Sequence, residues 1–266
     1  MLLQPITIDI SMLPDKLQLY LKDSAIFDSS CSQQAKTLFI DKDNGYFLKI
    51  APKGSLEDEA LMTEYFHKKG LSAKVCEYVN GDMDYIITEK ISGKDGITQK
   101  YLDEPRKLCD IFSKSLRMLH DVDFSDCPRK ERTNMMYQDA QRIYKSGKSD
   151  AWLLEYADVK NNDADEGYII MQELMPLSCN DALLHGDYCL PNILLNNFMF
   201  SGFIDLGYGG IGDRHYDIFW GIWSLQFNLH NNDFKERFLD GYGRDKIDLD
   251  RLKLNGIISA LMEVKE

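Results

Sequence analysis

Residues 185–217 carry two carboxylates and an amide at offsets that leave the surrounding chain little freedom. Asp187 and Asn192 stand five residues apart across a short segment containing Pro191. Asn192-Ile193-Leu194-Leu195 and Phe200-Ser201-Gly202-Phe203-Ile204 are apolar runs too short for helices, and they read as two strands around an Asn196-Asn197 turn. A hairpin of that length returns the chain, so Asp205 is expected close to Asn192. Gly207 and Gly209 let the backbone approach a ligand. Singly, an Asp in a turn usually serves the turn or a helix cap. Together, hard oxygen ligands on either side of a hairpin suit a Mg²⁺ carrying nucleotide phosphates, with a further carboxylate placed to accept a hydroxyl proton. These are the parts of a phosphoryl-transfer site.

What the rest of the chain excludes narrows the setting. The formal net charge is −12, with 43 acidic against 31 basic side chains, which argues against nucleic acid and favours a cationic partner, although solubility alone accounts for the charge equally well. Six cysteines without a C-x-x-C pair, and five histidines that do not cluster with them, give neither a zinc site nor a disulfide scaffold. The N-terminus has no basic region, and no apolar run approaches the roughly 18 residues of a membrane span. A cytoplasmic protein without a membrane partner is expected. At 266 residues the chain can bury one large core or two small ones. Monomer is the default.

Residues 14–50 read as antiparallel strands. Lys36-Thr37-Leu38-Phe39-Ile40 and Tyr46-Phe47-Leu48-Lys49-Ile50 flank Asp43-Asn44-Gly45, a hairpin signal because Asn-Gly suits turns with positive φ. A helix follows from Ser55, read as its N-cap with Asp58 completing an imperfect capping box, to Lys68-Lys69-Gly70. Met62, Tyr65 and Phe66 define its apolar stripe, and a step of three residues back from Met62 places Glu59 on the same face. A Glu that points inward needs a partner. Lys49, ten residues upstream, is the natural one, and the pair would hold an ammonium where phosphates arrive. Ahead of the hairpin, Phe27-Asp28-Ser29-Ser30-Cys31-Ser32 is a loop of small polar residues able to cover phosphates with N–H groups and hydroxyls. Tyr85-Ile86-Ile87-Thr88 is a further strand. The glycine-bearing stretch after Glu89 marks a domain boundary, giving residues 1–91 and 92–266.

Beyond it helices dominate. Leu108, Phe112, Leu116 and Leu119 make an amphipathic stripe between Glu104 and His120, whereas residues 131–145 are a poorer candidate. Residues 155–173 hold six acidic side chains against one Lys and read as a solvated loop. Residues 217–229 are apolar nearly all round, as befits a buried central helix. Helices are expected again around 233–240 and 248–263.

His185-Gly186-Asp187 with Asn192, then Gly202-Phe203-Ile204-Asp205-Leu206-Gly207, Asp213 and Tyr216-Asp217-Ile218 together resemble the motif set of the aminoglycoside 3'-phosphotransferases. The segment from Leu119-His120-Asp121 to Cys127-Pro128 is similar to that family too, and the resemblance runs from Lys49 to Asp217. It implies an α+β, protein-kinase-like two-lobe fold: an N-terminal antiparallel sheet with one helix, which binds ATP, and a larger, mainly helical C-terminal lobe for catalysis and the acceptor. Asp187 would be the catalytic carboxylate, and Asn192 and Asp205 the Mg²⁺ ligands. Lys49, held by Glu59, would bind phosphates beneath Ser29, Ser30 and Ser32. Thr88, Glu89 and Ile91 match the hinge that holds adenine. His185 and Asp217 match scaffold positions.

A polycationic aminoglycoside acceptor would meet Asp158, Asp163, Asp165, Glu166 and Glu263. The chain departs from the family at its end, where Glu263 and Glu266 stand in place of an adjacent Asp and Glu, and at Tyr208, where an Arg is usual. Another small hydroxylated substrate therefore stays open, as does a nucleotide-binding protein without catalysis.

Overall fold

The computed structural model describes residues 4–31 and 35–264. They divide into two compact units, one formed by the chain up to Gly93 together with Ser201–Gly207, the other by Lys94–Phe200 and the chain from Tyr208 onward. Among the described residues no helix is long and apolar enough to cross a membrane.

The first unit is built on a six-stranded antiparallel sheet of β1 (Gln4–Pro5), β2 (Ala25–Asp28), β3 (Lys36–Asp41), β4 (Tyr46–Pro52), β5 (Val75–Asn80) and β6 (Met83–Glu89), in the order β1-β2-β3-β4-β6-β5. The β3–β4 hairpin closes as expected, with the positive φ values at Asp43 and Gly45 rather than at Asn44. Strands do not fill the whole of 14–50, because α1 (Asp15–Leu21) is a helix. It starts directly after Pro14 with an acidic first turn and buries Leu17 and Leu21, spaced four apart, against Leu38, Ile40 and Leu48.

The second helix, α2 (Glu57–Lys68), begins two residues after Ser55. The Ser55 hydroxyl donates to the Pro52 carbonyl. The helix entrance is held instead by Asp84 of β6, which is fully buried and accepts the Leu56 N–H at 3.0 Å. Long-range capping of this kind satisfies an orphan helix donor but leaves no local sequence mark. Met62, Tyr65 and Phe66 are buried as the stripe required. Phe203, from the distant Ser201–Gly207 segment, packs edge-on against Phe66 with ring centroids 6.4 Å apart, and its N–H donates to the Leu71 carbonyl.

The second unit is mainly helical: α3 (Gln99–Leu102), α4 (Pro105–His120), α5 (Arg132–Lys145), α6 (Ala164–Leu174), α7 (His215–Leu229), α8 (Phe234–Tyr242) and α9 (Leu249–Met262). Short strands punctuate it: β7 (Lys94–Asp95) pairs with β9 (Ile193–Asn196), and β8 (Ala182–Leu184) pairs with β11 (Gly210–Gly212). Between β9 and β10 (Met199–Phe203) the positive φ values fall on Asn197 and Phe198, one residue later than the Asn-Asn pair suggested. Phe198 is tolerated there by edge-on packing against Tyr101. Residues 131–145 form a full helix despite their weak pattern. The acidic run is no loop either: Asp163 caps α6 by accepting the N–H groups of Asp165 and Glu166, and Gly167 and Met171 turn its inner face to the core. The α7 helix is buried all round over His215–Phe219, as expected, and one face opens toward its C-terminal half. Trp220 and Trp223 are half-buried and Phe227 is 56% exposed, in a row that Trp152 extends.

Candidate functional site

In the first unit three charged side chains meet. Lys49 projects from β4 and Glu59 from the first turns of α2, so the ammonium lies 2.8–2.9 Å from both Glu59 oxygens. Asp205, in the Ser201–Gly207 segment, places Oδ1 2.8 Å from the same Nζ. Burial opposes the Lys49 charge, but the Asp205 and Glu59 carboxylates outweigh it and raise the ammonium pKa, so Lys49 stays charged. Asp205 is left-handed, with φ 58°. Among the described residues its Oδ2 has no partner, and its side chain is 42% exposed, so it keeps a hard oxygen for a cation.

Elsewhere in this unit, Ser29 is buried, and Ser30 is tied down: its N–H donates to Asp28, and its hydroxyl accepts the Thr37 N–H and donates to the Thr37 carbonyl. Ser32 lies outside the described residues. Thr88 sits in register between Phe47 and Val75. The Glu89 N–H is engaged with the Lys74 carbonyl, while among the described residues the Ile91 N–H has no protein acceptor.

The loop joining β8 to β9 in the second unit carries Asp187 and Asn192. The Asn192 amide nitrogen donates to Asp187 Oδ2 at 2.8 Å and to the Asp187 carbonyl at 3.0 Å. That orientation leaves the Asn192 amide oxygen without a donor among the described residues. One side chain thus both orients the carboxylate and keeps an oxygen suited to Mg²⁺. Asp187 Oδ1 accepts from the Cys189 thiol at 3.3 Å. Burial, reinforced by the Asp187 charge, pushes that thiol well above its ordinary pKa.

The loop is braced from below by Asp217 on α7. Its fully buried carboxylate accepts the N–H groups of His185 at 2.7 Å and Gly186 at 2.9 Å, and His120 Nε2 stands 3.2 Å away. Burial holds His120 below the ordinary imidazole pKa. A neutral ring donating through Nε2 to Asp217 and accepting the Tyr242 hydroxyl at Nδ1, 2.8 Å away, fits this geometry. The His185 ring is inaccessible, and its Nδ1 accepts the Asp187 N–H at 3.3 Å, the behaviour of a scaffold residue. Gly186 has φ 83°, and a Cβ there would stand 2.0 Å from the Tyr208 carbonyl oxygen, so no other residue fits. The side chain of Tyr208 is 57% exposed under the Arg132 guanidinium, which also donates to the Tyr208 carbonyl at 3.1 Å.

Two of the acidic residues expected to meet a cation are already engaged. Asp163 is occupied as the α6 cap, and Asp165 accepts from the Tyr144 hydroxyl. Asp158 and Glu166 are exposed. Glu263 differs from them: burial and then the charges of Asp150 and Asp187 raise its pKa. Glu266 lies outside the described residues. Sequence reasoning missed Asp150, whose N–H donates to the Glu263 carbonyl, and it missed Cys189. A thiol two residues after Asp187 was the only available sign.

The model of the family described as phosphotransferase enzyme family (APH) matches residues 28–254. The "Probable aminoglycoside 3'-phosphotransferase" of Lactococcus lactis subsp. lactis is 42% identical over 255 residues, covering 96% of this chain and 97% of that one. Among solved structures, an aminoglycoside-3'-phosphotransferase of type VIII superposes with a TM-score of 0.66 at 20% identity, covering 97% of this chain and 93% of the other. The aminoglycoside phosphotransferase APH(3'')-Id of Streptomyces rimosus, solved with ADP and streptomycin, superposes with a TM-score of 0.67 at 17% identity, covering 90% of each chain. The kinase-like fold of these structures is that of this chain, which belongs to the phosphotransferase enzyme family and groups there with the aminoglycoside 3'-phosphotransferases.

Proposed function

We propose that the protein transfers the γ-phosphate of ATP to the 3'-hydroxyl of an aminoglycoside, a reaction that would confer resistance to the antibiotic. The observation that carries the chemistry is the Asp187–Asn192 pair, a carboxylate oriented by an amide whose oxygen stays open. Asp187 accepts the proton of the attacking hydroxyl and aligns it with phosphorus. Lys49, held by Glu59, neutralises phosphate charge. Asn192 and Asp205 would hold Mg²⁺, which when bound screens the phosphate oxygens, and the hard oxygen each side chain keeps free fits that ion. Adenine is taken by the stretch Thr88, Glu89 and Ile91, for which the open Ile91 N–H supplies a donor, and Ser29, Ser30 and Ser32 cover the phosphates.

Two things support the aminoglycoside acceptor: the name carried by the Lactococcus relative, and Glu263, whose pKa the Asp187 charge helps to raise. Asp158, Asp163, Asp165 and Glu166 rank behind it, since Asp163 and Asp165 already have partners. The enzyme works as a cytoplasmic monomer on this reading, where ATP is abundant, and its acidity repels nucleic acid.

A coupled ADP-release assay with MgATP and kanamycin, neomycin or an analogue lacking the 3'-hydroxyl tests the proposal. Turnover of the first two and silence with the third is expected. Phosphorylation of the analogue overturns the 3' assignment, and turnover of neutral alcohols alone would assign a different hydroxylated acceptor.

A further inference from the structure

Asp187 is held at both oxygens, and only one holder belongs to the motif that marks the loop. Asn192 donates to Oδ2, while Oδ1 receives the Cys189 thiol at 3.3 Å. The thiol is itself held. Ser224, fully buried on α7, accepts the Leu190 N–H at 2.9 Å and the Asn228 amide at 3.3 Å on its Oγ. Leu190 follows Cys189 directly, so this bond from α7 fixes the backbone that carries the thiol. The string runs from Ser224 through the Leu190 N–H to the Cys189 thiol and the Asp187 carboxylate.

We propose that Ser224 and Cys189 are positioning residues that fix the plane of the Asp187 carboxylate for the transfer. The proposal rests on the reading of Asp187 as the proton acceptor. With one donor on each oxygen the carboxylate cannot rotate, and the remaining lone pairs face the acceptor hydroxyl in one orientation. Remove the thiol and Asn192 alone restrains it. A misplacement of about 1 Å in such a group costs up to about 10²-fold in rate.

The test measures ADP release with MgATP and kanamycin on the full chain. Cys189→Ala and Ser224→Ala are expected to lower kcat about tenfold, with both KM values within about twofold of wild type, since the string acts on alignment rather than binding. Cys189→Ser, which keeps a donor, is expected to retain at least half of the wild-type kcat. The double variant Cys189→Ala/Ser224→Ala should fall no further than the worse single one, because both changes cut the same string. Three results overturn the proposal: a Cys189→Ala kcat above half of wild type, a Cys189→Ser variant as impaired as Cys189→Ala, or additive losses in the double variant. If Cys189→Ala does not fold, Ser224→Ala decides alone by the same kcat criterion. Asp187→Asn separates the two levels. An active Asp187→Asn removes the parent reading, whereas an inactive one beside an unimpaired Cys189→Ala removes only the string.

Discussion

The Lys49 ammonium and the Asp205 carboxylate, 156 residues apart in the chain, meet at 2.8 Å inside one compact unit. Glu59 holds the same ammonium from the other side, so Lys49 is fixed by two carboxylates. Replacing Lys49 with Met should lower kcat/KM for ATP by about 10²-fold, the usual loss for a single preorganised charge contact. Glu59→Gln should lower it less, because Asp205 still holds the ammonium. Steady-state kinetics at varied ATP check the ranking, and a Glu59→Gln defect larger than that of Lys49→Met would contradict it.

Asp187→Ala should lower the rate by about 10²–10⁴-fold, the range of a general base. Affinity for ATP, measured by calorimetry, should stay within about twofold, as the side chain does not reach the nucleotide on this reading. A variant retaining more than about a tenth of the wild-type rate contradicts the assignment.

The Asp217 carboxylate serves two backbone donors and the His120 ring while wholly buried. Asp217→Ala leaves the His185 and Gly186 N–H groups without an acceptor, and a loss of at least about 3 kcal/mol is expected. Urea unfolding measures it as a lower midpoint at unchanged slope. Soluble protein of wild-type stability would show that the loop is held by other means.

Asp213 makes acid stability depend on one buried network. Burial opposes its charge, yet hydrogen bonds from His215 and Arg251 outweigh burial and hold the carboxyl down at about 2, against 3.8 when unperturbed. A lowered folded pKa gives stability that is whole above the unfolded value and is lost as pH falls through the folded one. The window is therefore about pH 4 to pH 2, and the contribution about 2 kcal/mol. Thermal melts of wild type and Asp213→Asn at pH 5, 3 and 2 should differ most at pH 5 and converge at pH 2. A constant gap would show that Asp213 titrates alike in both states.

Much of this site can be read from sequence because its residues stand at short, fixed offsets. Asp187 and Asn192 share one loop, and Glu59 follows from a three-residue step along an apolar stripe. What the sequence hides depends on distant packing. Asp84 caps α2 from 28 residues away, and Ser224 reaches the Leu190 N–H only because α7 lies beneath the loop. β5 escaped detection because all its residues but the last are half-buried, so no alternation marks it. The acidic run concealed α6, whose first carboxylate is the cap that starts it. Tyr208, an anomaly in the motif, becomes intelligible once Arg132 is seen above its ring.

The passage of Ser201–Gly207 into the sheet-bearing unit sets an order on biosynthesis. As the chain leaves the ribosome, all six strands of that sheet emerge early, yet Phe203 and Asp205 are translated only after the whole of Lys94–Phe200. Until then the Phe66 ring lacks its edge-on neighbour and Lys49 lacks one of its two carboxylates. A gene cut at the apparent linker would yield a first fragment that is short of both.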